Sequence, residues 1–525
     1  MDMSQTAAEH FMVGGGIASL AAAVFLVRDA GVPGEHICIL EQRPVLGGSL
    51  DGSGDAADGY LTRGGRMFEP NYVCTFDLLD SIPALDDPSI SVKADMLAFN
   101  AEVPGFSECR LVRDGRKAED RLRLRLGAGD IFDLVRLTLT PEARLDGRTI
   151  ESWFRPGFFD TNFWLMWSTM FSFQPWHSLA EMRRYMRRFI HMFPGLARIA
   201  GVLRTRYNQY DSLIEPIRAW LSSRGVRFRT GAVVSDVEID GDSRARRVTR
   251  LVLDSGETIA VAPADRVYIT LGSMTDASCT GSATAVPALD DREGAAWRLW
   301  RRLAARHDGL GRPEVFCADT AKTAWNSFTV TLDGPEFFDF MERFSGNRTG
   351  TGGLVTFAGS GWTLSVVMFH QPHFRTQAQD TYVFWGYGLR GERNGDFVRK
   401  PMWHATGAEI LQELAGQLRL TEAQAAWFSG ARIVPCRMPF ITSQFMPRRA
   451  GDRPPVRPAG AENFAIIGQF CEMERDCVFT VEYSVRSAWA AVHAMTGRVP
   501  APPAVVRTDA RPDVLWNAAR VLLAG

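Results

Sequence analysis

The sequence predicts an α/β protein. We expect a discontinuous Rossmann-like dinucleotide-binding domain with a mixed sheet, an inserted α+β substrate domain and a short helical C-terminal segment. Three observations support this: a βαβ unit with a glycine-rich turn opens the chain, two later apolar runs end in glycine, and 525 residues exceed what one hydrophobic core usually serves. The expected parts are 1–110, 211–290 and 430–498 for the nucleotide-binding domain, 111–210 and 291–429 for the substrate domain, and 499–525 for the C-terminal segment.

Composition narrows the class of protein. Hydrophobic residues make up 46% of the chain, which is ample material for buried cores. The formal net charge of −1 gives no field that would attract polyanions, so we expect no nucleic-acid partner. No apolar run approaches the roughly 20 residues of a membrane-spanning helix, and Met1 to His10 lacks the basic and apolar parts of a secretion signal. We therefore expect a soluble, cytoplasmic protein.

The eight cysteines are dispersed, without a CxxC pair or a Cys/His cluster at zinc spacing. This distribution is typical of buried apolar thiols in a reducing compartment. We expect no metal site.

The first βαβ unit carries a phosphate-binding turn. It runs EHFMVGGGIASLAAAVFLVRDAGVPGEHICILEQ from Glu9. Gly14 permits the tight turn, Gly16 lets the backbone approach a pyrophosphate, and the helix that follows points its positive N-terminus at it. Ser19 replaces the third glycine of the fingerprint and is small enough for close helix–strand contact. Glu41, which closes the second strand, can accept hydrogen bonds from an adenosine ribose. The glycines alone would be compatible with an ordinary loop, but strand, helix and terminal acid together favour a nucleotide site.

The sequence after this unit favours FAD over NAD. The segment RPVLGGSLDG resembles the second glycine pair that FAD-binding flavoproteins place beside the pyrophosphate, here Gly47 and Gly48, followed by Ser49. Two later runs, DRVYITLGS and ENFAIIGQF, reach Gly272 and Gly468 and resemble the downstream strands that complete such a site. We therefore expect FAD as the cofactor, in a domain assembled from separate pieces of the chain.

Four long stretches resemble the oleate hydratase family, once called myosin-cross-reactive antigens. Besides the first βαβ unit they contain QPWHS, YNQYDS, HQPHF, PFITSQFMPR and FTVEYSVR, and together they cover most of the chain. The resemblance implies that water adds across the cis double bond of an unsaturated free fatty acid. Oleic acid would give 10-hydroxystearic acid, with bound FAD required but not turned over.

For the proton donor the resemblance points to Tyr185. Ser178 and Glu181 form a capping box that predicts a helix over SLAEMRRYMRRFIHMF, with Glu181 and Arg188 within one turn of Tyr185. A phenol with a reference pKa near 10 is a weak acid at neutral pH, so neighbouring guanidinium groups would stabilise the phenolate left behind. From helix periodicity alone, a core tyrosine beside a solvated arginine face is the simpler interpretation.

The loop RGGRMFEPNYVC departs from the family pattern. The family carries a glutamate directly after RGGR that activates the water near the flavin, and this chain has Met67 there. Three alternatives follow. Glu69, which matches a second glutamate of the family loop, swings inward; or the backbone of the Gly64–Gly65 turn and the flavin edge hold the water; or hydratase activity has been lost. We favour the second, because general-base assistance contributes ~10²–10⁴-fold and its loss slows a reaction without abolishing it.

The same resemblance suggests the remaining site residues. On the cofactor side they are Arg63, Gly64, Gly65, Arg66, Phe479 and Thr480. The family positions that hold the fatty-acid head group correspond to Gln209, His373, Val367 and Phe369. Because the last two are polar in the family and apolar here, we expect altered head-group recognition.

The aromatic segments FWLMWSTMFSFQPW and VFWGYG are candidates for a substrate tunnel, although such stripes more often form plain core. The final helix, DVLWNAARVLL, is expected to dock on the body of the protein, with peripheral membrane contact as the alternative. Relatives often form homodimers, and the short segment before the first strand leaves a monomer open.

Two other functions remain possible at this stage. A flavin oxidase or desaturase would share the nucleotide-binding signals. A non-catalytic protein that binds FAD and fatty acid would explain Met67.

Overall fold

The computed structural model describes residues 8–523. Most of the segment inspected for a secretion signal, residues 1–7, and the last two residues of the predicted C-terminal segment lie outside this range. The strands, in chain order, are β1 (His10–Val13), β2 (Ile37–Glu41), β3 (Gly52–Asp55), β4 (Gly59–Thr62), β5 (Leu111–Arg113), β6 (Arg116–Lys117), β7 (Arg227–Thr230), β8 (Val234–Gly241), β9 (Arg246–Leu253), β10 (Thr258–Ala260), β11 (Arg266–Thr270), β12 (Cys279–Thr280), β13 (Trp325–Asp333), β14 (Leu354–Phe357), β15 (Leu364–Met368), β16 (Thr381–Gly388), β17 (Arg432–Met438) and β18 (Phe464–Ile467).

The α-helices are α1 (Ile17–Arg28), α2 (Val73–Asp80), α3 (Val92–Glu102), α4 (Ala128–Leu139), α5 (Asn162–Phe171), α6 (Leu179–Arg188), α7 (Glu215–Ser222), α8 (Ala295–Arg306), α9 (Glu314–Cys317), α10 (Thr320–Thr323), α11 (Glu336–Ser345), α12 (Gly407–Gln417), α13 (Glu422–Ala425), α14 (Val481–Thr496) and α15 (Pro512–Leu523).

A five-stranded parallel sheet forms the nucleotide-binding half, in the order β18-β11-β1-β2-β7. Its strands β1, β2 and β18 are short and fully buried, as expected for a parallel sheet covered on both faces, whereas the edge strand β7 is partly exposed. The two glycine-terminated runs of the sequence supply β11 and β18. This confirms the predicted α/β class and shows that the nucleotide sheet is parallel throughout; the mixed sheet is a different one.

Helix α1 packs between this sheet and α14. Its residues from Ile17 to Leu26 are all buried, and the alanines at 21–23 let the neighbouring backbones approach closely. A small antiparallel sheet, in the order β10-β9-β8, extends this half of the molecule.

An eight-stranded mixed sheet forms the second half, in the order β12-β17-β13-β16-β15-β14-β5-β6. One face packs against α11 and α12 around an apolar core. The hairpin β3-β4 lies against β13, where the backbone N–H groups of Tyr60 and Thr62 donate to the hydroxyls of Thr331 and Thr329 at 3.0 and 3.1 Å. The chain leaves β4 directly into the Arg63–Met67 turn, so the hairpin brings that turn beside the mixed sheet.

The strands β12 and β17 pair within the eight-stranded sheet. The boundaries drawn from the sequence assigned both to the nucleotide-binding domain, as parts of 211–290 and 430–498. We propose that the substrate half also includes these two strands.

Helix α15 packs on the 3₁₀ segment Ile190–Arg198 through Ala518 and Leu522, which are buried. Trp516 and Leu523 on its opposite face are exposed, as is Leu515 in the first turn. Within residues 8–523, no helix combines the length and the apolar character needed to cross a membrane.

Candidate functional site

Two glycine turns face each other at the carboxyl end of β1. Gly14 has φ +98° and Gly47 has φ +110°, a conformation that side chains with a Cβ rarely adopt. The turns are joined by a bridge between Gly16 and Gly47, in which Gly47 N–H donates to the Gly15 carbonyl at 2.9 Å. Within residues 8–523 no side chain caps the N-terminus of α1, so its first N–H groups remain available to an anion. This backbone cradle fits a dinucleotide pyrophosphate.

The cradle opens into what we call the nucleotide cavity. Its lining includes the expected residues Gly14, Gly16, Glu41, Gly47, Gly48, Ser49, Gly272 and Gly468. Ser19 lies outside this lining, buried with its hydroxyl 3.5 Å from that of Thr270 on β11, and so serves the close helix–strand contact. Sequence reasoning missed Arg43, Gln469 and Ser484, which also line the cavity.

Glu41 holds the two turns in place. Its Oε2 accepts from Gly15 N–H at 2.6 Å and its Oε1 accepts from Arg43 N–H at 2.8 Å. Burial raises the pKa of Glu41, while these backbone donors oppose the rise. The carboxylate lines the nucleotide cavity and retains lone pairs that a ribose hydroxyl can use.

A second cavity, the aromatic cavity, brings together two of the three predicted catalytic residues. Tyr185 and Met67 both line it, together with the Arg63–Arg66 turn, Val367, Phe479 and Thr480. Its walls also contain Phe171 and Phe189, and Trp385 and Tyr387 from β16. Both aromatic segments marked as tunnel candidates therefore contribute. Trp325 was missed because it stands outside any aromatic run.

Tyr185 is 1% exposed, and its hydroxyl donates to the Val478 carbonyl at 2.5 Å. The rings of Phe171 and Phe173 meet its ring edge-on at 5.0 Å. Burial raises the pKa of Tyr185 well above its ordinary value, and the nearby Cys477 and Tyr72 raise it further. The phenol is therefore fully protonated at neutral pH.

Two arginines of α6, Arg184 and Arg188, are held by carboxylates, and the expected stabilisation of a Tyr185 phenolate by guanidinium groups stays a prediction. Arg184 pairs with Glu142 and Glu472 at 2.7 Å, and Arg188 pairs with Glu69 at 3.2 Å. Both arginines are buried, so the alternative of a solvated arginine face is wrong for them. Their charges are neutralised by carboxylates.

The start of α6 follows the prediction, but its end does not. The Ser178 hydroxyl accepts from Glu181 N–H. The Glu181 carboxylate does not return to the cap; it binds Arg448 and Arg453 at 2.7 and 2.9 Å. The α-helix ends at Arg188, and a 3₁₀ helix containing Pro194 follows, because proline removes a donor and obstructs the preceding turn.

Glu69 is held away from the aromatic cavity. It is 2% exposed and pairs with Arg188 and with His191 Nε2 at 2.9 Å, and Asn71 also donates to it. It does not belong to the cavity lining. Swinging inward would break these contacts and leave Arg188 buried without this partner, so the first of the three alternatives is disfavoured.

A third cavity, the basic cavity, brings the four head-group candidates together. Gln209, His373, Val367 and Phe369 all line it. His373 stacks on Phe369 with ring centroids 3.7 Å apart, and burial lowers the pKa of His373 to about 3, so its ring is neutral near pH 7. Gln209 donates to the Arg66 carbonyl at 3.2 Å.

The three cavities are connected through specific residues. The aromatic and basic cavities share Gly64, Gly65, Arg66, Met67 and Val367. Gln469 of the nucleotide cavity donates to the Thr480 carbonyl at 2.8 Å and accepts from Phe479 N–H at 2.5 Å. Arg43 of the nucleotide cavity and Arg63 of the aromatic cavity both pair with Asp51.

The fold and the site define an α/β protein with a glycine cradle suited to a dinucleotide and an adjoining aromatic cavity. The structure resembles that of putrescine oxidase bound to putrescine, with a TM-score of 0.52 and 13% identity over 94% of this chain and 100% of that one, a likeness of fold alone.

The comparison of sequences is more specific. The MCRA family model matches residues 7–493, and the chain belongs to this family. It is 38% identical to an oleate hydratase of Streptococcus pyogenes serotype M49 (strain NZ131), over 92% of this chain and 84% of that protein. It is 31% identical to a linoleate hydratase of Lactiplantibacillus plantarum, over 93% of each chain. The protein is a hydro-lyase.

Proposed function

We propose that this chain is an FAD-dependent, non-redox hydratase of unsaturated free fatty acids such as oleic acid, which it converts to 10-hydroxystearic acid. The observation that carries the proposal is the meeting of the Tyr185 phenol and the Gly64–Met67 turn in one aromatic cavity beside the nucleotide cavity. The names of the two hydratase relatives support the same reaction.

The residues around the nucleotide cavity fit FAD. The Gly14–Gly16 turn, the start of α1 and Gly47–Gly48 would hold the pyrophosphate, and Glu41 would bind the ribose. Arg63, Arg66, Phe479 and Thr480 would meet the flavin end, since the Asp51 and Gln469 contacts lead from the nucleotide cavity to them. FAD bound there would supply a polar edge to the site without being oxidised or reduced.

The addition of water requires one donor and one acceptor of a proton. The Tyr185 O–H bond breaks as a C–H bond forms on one alkene carbon, and the oxygen of a water molecule bonds to the other carbon. The proton that this water loses returns to the phenolate, so one water is consumed and Tyr185 is restored. The aromatic lining excludes other water from the cationic carbon.

The raised pKa of Tyr185 acts on the two proton transfers in opposite directions. Burial makes the phenol a weak acid, which slows protonation of the alkene. The same burial makes the phenolate a strong base, which favours recovery of the proton from the water. Tyr185 can therefore close the cycle without a carboxylate at position 67. The backbone of Gly64 and Gly65 holds the water, and a bound flavin would contribute its polar edge. This is the second of the three alternatives.

The test is incubation with oleic acid and other cis-unsaturated acids, with and without FAD, followed by mass analysis. We expect a mass gain of one water, with the oxygen derived from labelled water, and no stoichiometric flavin reduction under anaerobic conditions. Anaerobic reduction of the flavin by substrate would instead identify an oxidase or desaturase. Thermal stabilisation by fatty acid without a hydroxylated product would identify a binding protein.

A further inference from the structure

The basic cavity carries an excess of positive charge. Arg66, Arg204 and Arg206 line it, and its described lining contains no carboxylate side chain. Arg206 has a partner outside the cavity, since its Nε lies 3.3 Å from Asp95. Arg66 lines the aromatic cavity as well. Of the three, Arg204 is the one that lines only the basic cavity and has no carboxylate within ion-pair distance among residues 8–523.

Arg204 is buried without a counter-ion among residues 8–523. It is 8% exposed, and its terminal nitrogens donate to the backbone carbonyls of Val103 and Gly350. Its Nε has no acceptor. Burial lowers the pKa of Arg204 to about 10, which leaves it cationic at neutral pH. A buried cation bound only to neutral carbonyls is costly unless an anion arrives, so the site is suited to an anionic ligand.

The neighbouring side chains narrow the choice of anion. Phe99 lies 5.5 Å from the Arg204 guanidinium, and Val367, Met368 and Phe369 add apolar surface. This lining suits a singly charged group on an apolar chain better than a phosphate with several charges to solvate. The residues shared with the aromatic cavity let one chain lie with its head near Arg204 and its interior near Tyr185.

We propose that Arg204 supplies the counter-charge for the substrate carboxylate, replacing the polar contacts that Val367 and Phe369 cannot make. This rests on the proposed function and deepens it. The substrate carboxylate is then recognised mainly by the charge of Arg204. The Gln209 amide orients it, and the uncharged His373 ring forms part of the cavity surface. The protein should select ionised acids over uncharged lipids of the same chain.

The test compares oleic acid with oleyl alcohol in wild type, Arg204→Gln and Arg204→Lys. We expect Arg204→Gln to raise KM for the acid about tenfold or more, with little change in kcat and little effect on the alcohol. Arg204→Lys retains the charge and should recover part of the affinity. The matched control is Arg348→Gln, which removes an exposed cation near the cavity and should change KM for the acid less than threefold, roughly the effect of a surface charge. Equal effects of Arg204→Gln on acid and alcohol would overturn the proposal.

Two further measurements separate this proposal from folding defects and from the proposed reaction. Wild-type protein that processes or binds oleyl alcohol and methyl oleate as well as oleate would refute the role of Arg204 without any variant. If oleate stabilises the wild type against heat but does not stabilise folded Arg204→Gln, Arg204 binds the carboxylate. This result supports the proposal even where no hydration is detected. If Arg204→Gln still hydrates oleate with an unchanged KM, Arg204 does not bind the carboxylate. The hydratase assignment is unaffected by that result.

Discussion

At the scale of single residues, two tyrosines of the aromatic cavity allow the proton-donor role of Tyr185 to be tested separately from its packing. Tyr185 and Tyr387 both line it, and each donates its hydroxyl to a backbone carbonyl, of Val478 and Thr169 respectively. Tyr185→Phe should lower product formation about 10²–10⁴-fold, because it removes the proton donor. Tyr387→Phe removes the same kind of hydrogen bond and should cost far less. Initial rates of hydroxy acid formation decide this; similar losses in the two variants would contradict the assignment of the donor.

Position 67 offers a gain of function. Met67→Glu places a carboxylate beside the Gly64–Gly65 turn, and the adjacent Arg66, which has no carboxylate partner within residues 8–523, helps to keep it ionised. We expect the hydration rate under saturating FAD to rise about tenfold or more, within the range of general-base assistance. Met67→Gln is the matched control, since it adds polarity without a base. An unchanged or lower rate for Met67→Glu would count against the proposed handling of the water.

Several of these residues could be assigned from the sequence because each belongs to a motif with a local cause. Gly14 and Gly47 adopt the positive φ that their turns require. The role of Glu69 was not predictable, since its partners Arg188 and His191 lie on a distant segment that only the fold brings to it. Arg204 was missed for the opposite reason: its distinguishing feature is a lack of carboxylate partners among residues 8–523, which a sequence cannot show.

At the scale of elements, helix α6 is fixed by a buried charge cluster. Glu181 is fully buried between Arg448 and Arg453. Burial opposes its ionisation, but these arginines prevail and lower the pKa of Glu181 to about 2. Glu181→Gln leaves the two guanidinium groups without this carboxylate and should reduce the free energy of unfolding by about 3 kcal/mol or more.

The control for this cluster is Glu142→Gln. Glu142 binds the same helix through Arg184 but is about a quarter exposed, so its loss should cost about 1 kcal/mol or less. Urea titrations at pH 7 measure both variants. Equal destabilisation of the two variants would show that the buried Glu181 cluster contributes no more to the free energy of unfolding than the partly exposed Glu142 pair.

The elements also show where sequence patterns stop being informative. The βαβ unit was predictable because its strand, turn and helix are adjacent in the chain. The end of α6 was placed too late because apolar residues continue through Phe193, although Pro194 is a local signal against a continuous α-helix. That Ile190–Arg198 becomes a 3₁₀ helix packed against α15 could not be seen in the sequence.

At the scale of the whole molecule, the eight-stranded sheet was the least predictable part. Its strands β5 and β14 pair in parallel although Leu111 and Thr356 are far apart in the sequence, and β12 pairs antiparallel with β17, which is also distant from it in the sequence. Short strands of two to four residues carry little alternation of their own, so their partners are chosen by the assembled core. The residues of the aromatic and basic cavities come from many separate segments, so the sequence could give them only as a list.

Three buried histidines give the whole molecule an acid-sensitive stability. Burial lowers the pKa of His10 to about 4, assisted by Arg266, and lowers the pKa values of His177 and His373 to about 3. In the unfolded chain a histidine has a pKa near 6.5. As the pH falls below that value, the unfolded state binds protons that the folded state does not bind. The contribution of these histidines to the free energy of unfolding is therefore fully present above about pH 6.5 and is lost progressively toward pH 3. Each histidine contributes a loss of about 2 kcal/mol at pH 5.

His10 allows this to be tested, because it lies on β1 with its ring stacked near Tyr268 and its Nδ1 unbonded. His10→Phe keeps an aromatic ring and removes the titration, so the drop in unfolding free energy between pH 7.5 and pH 5 should shrink by about 2 kcal/mol. The control is His404→Phe at an exposed site, which should leave the drop as large as in wild type. Urea midpoints across this pH range provide the measurement. A drop that is the same in His10→Phe and wild type would mean that β1 accommodates the charged imidazole, and that the acid sensitivity arises elsewhere.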